Sequence, residues 1–341
     1  MKFDFSDEMF NLSLDKNIDE EVEKIFNFYR NVGFPNYDKE DYDLTKELSK
    51  LKSFDETTLF NNETKTIKQN MIGLGILWSY FPHWIEVCCG NATKSLKELW
   101  EEDDLLKNLI KKTYLWKLKH NEPHWTNNRI RQNAKVYLSK QSVSNFRPTV
   151  AKYIYNTYGN NSKVFDMSAG FGGRLFGFMA SNCQEYVGVD PSTKTFDGLN
   201  DFKDDLLKIN PNKSIKIIKQ GSEIPLPYEK YFDLCFTSPP YFDTERYSNE
   251  DTQSYKKYPN YNDWFDGFLK ETFANCYKYL KNDGYMIINI ANTPQYNLEF
   301  FCIRTAEIVG FKLIDAIYME LSSIAGKGRK LEPIFVFKKD I

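Results

Sequence analysis

The residues best suited to chemistry stand together at Ser238-Pro239-Pro240-Tyr241, directly after the run Tyr231-Phe-Asp-Leu-Cys-Phe-Thr237. A buried strand cannot contain two consecutive prolines, because neither has an N–H for the ladder, so the strand must end at Thr237 or Ser238. The residues beyond it form a stiff turn. Its prolines fix the carbonyls of Ser238 and Pro239 as acceptors, Ser238 adds a hydroxyl, and Tyr241 offers a flat ring. An exocyclic base amine needs two acceptors for its hydrogens and a ring to stack on once it leaves the helix. The competing interpretation is a rigid surface turn.

A second motif lies upstream. Asp166-Met-Ser168-Ala169-Gly170-Phe171-Gly172-Gly173 follows the apolar pair Val164-Phe165 and leads into a helix beginning near Arg174. Glycines at a strand-to-helix turn let the backbone approach a ligand, and the helix N-terminus offers free N–H groups. Asp190 closes the next run, Tyr186-Val-Gly-Val-Asp190, at the separation where an acid grips a ribose diol. The phosphate-gripping pattern GxxxxGK[ST] is absent, and the first strand ends in Asp166, whose carboxylate repels a pyrophosphate and suits a cation. S-adenosylmethionine carries a sulfonium and an ammonium and no phosphate, so this turn favours it over a dinucleotide. An ordinary tight turn is the alternative.

These motifs need a sheet to hold them. Short β-rich runs recur at Val164-Phe165, Tyr186 to Val189, Ile215 to Ile218, Phe232 to Phe236, Tyr285 to Ile290, Phe311 to Tyr318 and Ile334 to Phe337, with helical patterns between them. That alternation predicts an α/β fold with a parallel sheet covered on both faces. The first hundred residues predict helices instead, over Glu20–Arg30, Thr66–Tyr80 and Ala92–Leu118.

Composition agrees with a large folded chain. In 341 residues, 41% are hydrophobic and 16% aromatic, which excludes a disordered or collagen-like protein. The first residues have no basic segment leading into an apolar run, and no stretch reaches the ~18 apolar residues of a membrane helix. Six cysteines without CxxC spacing imply reduced thiols and a cytoplasmic location. No metal site is expected: His120 and His124 share a face in spacing, but Pro123 interrupts the turn and no Cys or Asp joins them.

The net charge of −2 hides a segregation. Residues 1–104 hold 12 basic against 22 acidic side chains, whereas residues 105–153 hold 11 basic against Glu122 alone. Such a band either faces a polyanion or docks onto the acidic lobe of the same chain. The substrate-facing version is favoured, because the band runs directly into Asn145-Phe146-Arg147-Pro148.

Asp166 to Gly172, Asp190 and Ser238-Pro-Pro-Tyr241 together resemble the cofactor motif, ribose acid and catalytic motif of the S-adenosylmethionine-dependent amino-methyltransferases of DNA. The resemblance covers roughly Asn145 to Lys339. It implies a Rossmann-like class I methyltransferase fold, a doubly wound sheet with a final antiparallel strand, and methylation of cytosine N4 or adenine N6. Serine before Pro-Pro-Tyr resembles the cytosine-N4 members more often. By the same resemblance Phe146 and Pro148 belong to the motif beside the methionine moiety. Ser168, Ala169, Gly170, Phe171, Gly172, Asp190 and Pro191 would line the cofactor, and Ser222 would meet its adenine. RNA or a protein amide is the alternative substrate, and a catalytically inactive nucleic-acid-binding relative is the alternative class.

The expected organisation is a helical lobe over residues 1–125, for target recognition or substrate docking, and a methyltransferase domain over 126–341. Many relatives carry a separate recognition domain, for which the chain after Asp190 leaves no room. Specificity is therefore expected from a mobile lid at Phe242–Asn262, a basic hairpin tip at Ile324–Lys330, or the N-terminal lobe. DNA is the expected partner, with RNA as the alternative; no membrane is expected.

Overall fold

The computed structural model describes Leu12 and residues 16–122, 124–139, 142–159, 161–321 and 330–339. The chain start, Pro123, Lys140 and the hairpin tip before Lys330 therefore lie outside the described residues. Two compact units form, Met1–Tyr37 with Pro82–Val143 and Asp38–Phe81 with Ser144–Ile341. These units do not part at the expected boundary of 125/126. The helix Asn127–Tyr137 belongs with the helix Asp103–Lys119, joined by the buried bond from Asn133 Nδ2 to Thr113 Oγ1 at 3.0 Å. Residues 38–81 instead join the sheet.

In the second unit, the parallel strands Leu280–Asn289, Phe232–Thr237, Lys163–Asp166, Glu185–Val189 and Ser214–Ile218 lie side by side in that order. Leu331–Lys339 pairs antiparallel with Leu280–Asn289 on one side and with Phe311–Glu320 on the other. This is a doubly wound, Rossmann-like sheet with an antiparallel strand, and all seven predicted runs lie in it. The central strands are buried on both faces: Val164, Phe165, Leu234, Cys235, Phe236, Ile287 and Ile288 are at most 1% exposed. Each buried branched or aromatic side chain removed from water contributes about 1.5–3 kcal/mol, which favours this arrangement over any that exposes the run.

The helix expected over Thr66–Tyr80 does not form as such. Thr66–Ile67 is a short strand, pairing in parallel with Tyr318-Met319 and antiparallel with the edge strand Phe60–Asn61, and only Leu74–Tyr80 is helical. The break comes where Asn70 Oδ1 accepts from Ile72 N at 2.8 Å and Gly73 takes φ +81°, a left-handed conformation that a side chain resists. The short hairpin shields the outer edge of Phe311–Glu320.

In the first unit, Val22, Ile25, Phe26 and Tyr29 form the buried face of the helix Ile18–Val32, as their spacing predicts. The helix expected over Ala92–Leu118 is two, Leu96–Glu101 and Asp103–Lys119, parted at an extended Glu102. Ser95 starts the first with a capping box, and Arg30 donates to the carbonyls of Trp100 and Glu101 at 3.0 and 3.1 Å, satisfying acceptors that the break exposes.

Several cations of the basic band find partners within their own unit. Lys107 pairs with Glu23 at 2.8 Å, Lys111 with Asp19 at 2.7 Å, and Lys117 and Arg129 with Glu122 at 3.2 and 3.3 Å. Arg131 is buried and gives Nη1 to the carbonyls of Pro35 and Asn36. Farther along, Lys152 meets Glu56 at 2.8 Å. These cations are matched to acids and carbonyls of their own unit, because opposite charges segregated along one chain neutralise each other when it folds.

Candidate active site

The glycine turn is built around a buried ion pair. Asp166 ends its strand fully buried, and its carboxylate accepts from Arg174 Nε and Tyr186 Oη at 2.9 and 2.7 Å and from Ser168 N and Thr237 Oγ1 at 3.2 Å. This overturns the expectation that Asp166 presents its charge to a cationic ligand. The strand-end position sends the side chain under the turn, and Arg174, in the first turn of the helix Gly173–Ala180, consumes the charge. Gly170 and Gly172 take φ +54° and +73°, which bring the backbone round to the helix start. Asn145 Nδ2 donates to the carbonyl of Phe171 at 2.7 Å, so the Asn145–Pro148 segment is pinned to that turn.

Asp190 sits across from the turn. Its two oxygens accept from Gly170 N and Ser192 N, both at 3.0 Å, and burial pushes its pKa up to about 6. A carboxylate held this way by two amides is aimed by backbone rather than by flexible side chains. Ser222 is buried, with its hydroxyl 2.9 Å from Thr272 Oγ1.

The segment Phe242–Asn262 is a closed strap in this structure. Glu250 accepts from Thr193 N and Oγ1 at 3.0 and 2.7 Å, Thr252 Oγ1 donates to the carbonyl of Pro191 at 3.2 Å, and Lys257 pairs with Glu223.

The prolines end the strand Phe232–Thr237 as predicted. Pro239 is buried, and Ser238 and Tyr241 are half-buried. Burial pushes the Tyr241 hydroxyl well above its ordinary range, and the charges of Glu332 and Glu245 add to the effect. Burial pushes the carboxyls of Glu332 and Glu245 above the ordinary range, and each reinforces the effect on the other or on Tyr241 by its charge.

A cavity of about 400 Å³, within the range of small-molecule sites, joins these parts. Phe146, Ser168, Ala169, Gly170, Phe171, Asp190, Pro191 and Ser222 line it, and so do Ser238, Pro239, Pro240 and Tyr241. Pro148, Asp166 and Gly172 stand behind the wall: Pro148 opens the helix Pro148–Tyr158, and Gly172 packs against Phe81 and Phe202. Sequence reasoning missed Glu245, Asn289 and Glu332, which also line the cavity. The available signal was topological. An antiparallel strand begins at the edge where its parallel neighbours end, so Glu332, at the start of Leu331–Lys339, comes to the same sheet edge as Asn289, whose partner is Ile334.

The donor set fits S-adenosylmethionine on grounds other than Asp166. Asp190, Glu223, Glu245 and Glu332 line the cavity with two guanidiniums, Arg174, which Asp166 neutralises, and Arg147, which is held by Gln69 Oε1 and the Asn145 carbonyl at 3.0 and 2.8 Å. The carboxyls outnumber the cations at this wall, which suits a sulfonium better than a pyrophosphate. Among the described residues no group of His, Cys, Asp and Glu could hold a metal ion, and no helix is long and apolar enough to cross a membrane.

Residues 232–340 match the DNA methylase family of N6/N4 amino-methyltransferases. No curated protein sequence matches the chain. Among solved structures, a TehB-like S-adenosylmethionine-dependent methyltransferase from Corynebacterium glutamicum is similar at 17% identity and a TM-score of 0.37, over 62% of this chain and 95% of that one. An S-adenosylmethionine-dependent methyltransferase from Methanosarcina mazei is similar at 10% identity and a TM-score of 0.40, over 55% and 96%. TYW2 from M. jannaschii, in complex with AdoMet, is similar at 16% identity and a TM-score of 0.37, over 60% and 81%. What the chain itself shows is a match of residues 232–340 to the DNA methylase family and a doubly wound sheet with an antiparallel strand.

Proposed function

We propose that this enzyme methylates an exocyclic base amine in DNA, cytosine N4 in preference to adenine N6. What carries the reading is one juxtaposition: Ser238-Pro-Pro-Tyr241 opens on the same cavity as the glycine turn and Asp190. When bound, S-adenosylmethionine supplies an electrophilic methyl group. Asp190 would accept from its ribose hydroxyls, the amides of the glycine turn and Phe146 would hold its methionine end, and Ser222 and Pro191 would flank its adenine. Ser238 Oγ and the Pro239 carbonyl accept the two amine hydrogens, push electron density onto the nitrogen and aim it along the line of attack. Tyr241 stacks on the flipped base, which is worth ~1–3 kcal/mol. Orientation then supplies most of the acceleration, of which bringing two reactants together contributes ~7–11 kcal/mol. A cytosine-C5 mechanism needs a nucleophilic cysteine, typically in a Pro-Cys pair, and the sequence contains no such pair. Target recognition falls to the strap over Phe242–Asn262, the 324–330 loop or the helical unit. Six free cysteines suit a reducing, cytoplasmic setting.

The test is incubation with methyl-labelled S-adenosylmethionine and DNA, RNA or protein, followed by nucleoside analysis. Label in N4-methylcytosine is the expected outcome. Label in N6-methyladenine corrects the base, and label confined to RNA or protein overturns the DNA reading.

A further inference from the structure

The turn that follows Ser238-Pro-Pro-Tyr241 is made by a residue ill suited to it. Thr244 N donates to the Tyr241 carbonyl at 3.1 Å, which closes a four-residue turn over Tyr241-Phe242-Asp243-Thr244. Phe242, its second residue, takes φ +55°. Glycine, asparagine or aspartate normally fills such a position, because a bulky side chain crowds its own backbone there. Among the described residues, the other non-glycine positions at positive φ hold only Asn, Asp or Lys.

Packing is what holds Phe242 in this conformation. It is 4% exposed, and its ring meets those of Tyr296, Tyr261 and Trp264 at centroid separations of 5.1, 5.7 and 5.8 Å. The cage is itself braced. Tyr261 and Tyr296 stack at 4.6 Å, and Trp264 Nε1 donates to Ser254 Oγ of the strap at 3.2 Å. A strained backbone persists only where its surroundings over-determine it, and three rings closing on a fourth do so. A turn that served only to reverse the chain would be easier with glycine; what phenylalanine adds is an anchor.

We propose that Phe242 is a positioning residue, caged by Tyr261, Trp264 and Tyr296 so that the neighbouring Tyr241 ring is held ready for the target base; this rests on the role proposed for Tyr241 above. Tyr241 is constrained from both sides. Pro239 and Pro240 fix the backbone before it, the Phe242 anchor fixes the backbone after it, and its own ring packs against the same apolar cluster. Tyr241 lines the cavity and Phe242 does not, so Phe242 acts through Tyr241. A base that meets a ring already in place loses less freedom on binding. Freeing the ring should therefore slow transfer without weakening the cofactor.

Three variants test this. Phe242→Gly and Phe242→Asn accept the left-handed turn more readily than phenylalanine but leave the cage empty. Tyr296→Leu, at a half-buried wall of the cage, loosens it with Phe242 in place. Fluorine NMR of the full chain carrying 3-fluorotyrosine at position 241 reports the ring, and single-turnover methyl transfer to mixed-sequence genomic DNA at saturating S-adenosylmethionine reports the rate. Wild type should give one sharp resonance. The Phe242 variants should shift and broaden it and lose about 10²-fold in rate, and Tyr296→Leu about tenfold, since small misplacements of a reacting group have effects of that size. Calorimetry should find S-adenosylhomocysteine affinity unchanged in all three. An unmoved resonance or a wild-type rate in the Phe242 variants overturns the proposal. So does a rate that falls together with S-adenosylhomocysteine affinity, the mark of a general loss of structure. If neither Phe242 variant folds, the same readouts in Tyr296→Leu decide. A wild-type protein that methylates neither DNA, RNA nor protein overturns the methyltransferase reading, whereas the fluorine resonance separately judges whether Phe242 holds Tyr241.

Discussion

Arg174 Nε lies 2.9 Å from Asp166 Oδ2 with the two side chains 5% and 0% exposed, so the charges at the glycine turn cancel beneath it. The pair fixes the turn rather than the ligand. Tyr186 and Ser168 complete the bonding of Asp166, and Arg174 also donates to the Ser168 carbonyl, which ties helix, turn and strand end into one rigid unit.

Removing one partner should therefore be costly. Arg174→Met leaves a buried, unpaired carboxylate, for which about 3–5 kcal/mol of destabilisation is expected. Chemical denaturation measures it, and Asp166→Asn in the same chain should recover much of the loss. If Asp166 faced the ligand instead, Arg174→Met would leave stability alone and tighten cofactor binding.

Asp190 gives a pH signature. Burial raises its pKa in the folded protein to about 6, against ~3.9 for a free aspartate. Linkage fixes the sign. Its contribution to the ligand-free protein's stability is fully present below the unfolded value and is lost as pH rises through about 6. Cofactor binding runs the other way, since a ribose diol needs the ionised acceptor. Affinity for S-adenosylhomocysteine should rise about tenfold from pH 5 to 7.5, and Asp190→Asn should bind weakly and equally at both. Calorimetry at the two pH values decides it.

How much of this was open to the sequence depends on range. The strand at Phe232–Thr237 and its end at Ser238 could be read because a buried run and a double proline act locally. The strand Thr66–Ile67 could not, since its partner is Tyr318-Met319, far along the chain, and its own periodicity mimics a helix. Asp166 misled for the same reason: its type and position are visible, whereas Arg174 reaching back under the turn is not. Glu332 looks like any surface acid until the antiparallel strand carries it to the rim of the cavity.

The strap makes a third prediction. Burial alone would raise the Glu250 titration, but the Thr193 hydroxyl and amide overcome it and hold the carboxyl below its usual range. The latch is therefore present above the ordinary carboxylate range and weakens as pH falls through the folded value. A hydrogen bond to a charged group is worth about 1.5–3 kcal/mol, so Glu250→Ala should speed both S-adenosylhomocysteine release and proteolysis within 243–262 by about tenfold or more. Equal release rates in stopped-flow experiments would deny the strap a role in holding the ligand.

The fourth concerns the cations of the helical unit. Lys111, Arg129 and Arg131 meet Asp19, Glu122 and the carbonyls of Pro35 and Asn36, and Lys112 lies over the Tyr137 ring at 5.3 Å. Exposed pairs such as Lys111–Asp19 contribute little, about 0–1 kcal/mol. Arg131 is different, because it is buried and its loss strands two carbonyls, at about 1–3 kcal/mol. Replacing all four by glutamine or methionine should lower the melting temperature, with Arg131→Met alone giving most of the drop. The salt dependence of DNA binding should keep its slope, since a cation that contacts phosphate contributes close to one log–log unit and these contact protein instead. A slope reduced by two or more units in the quadruple variant, with unchanged melting, would return the band to the substrate.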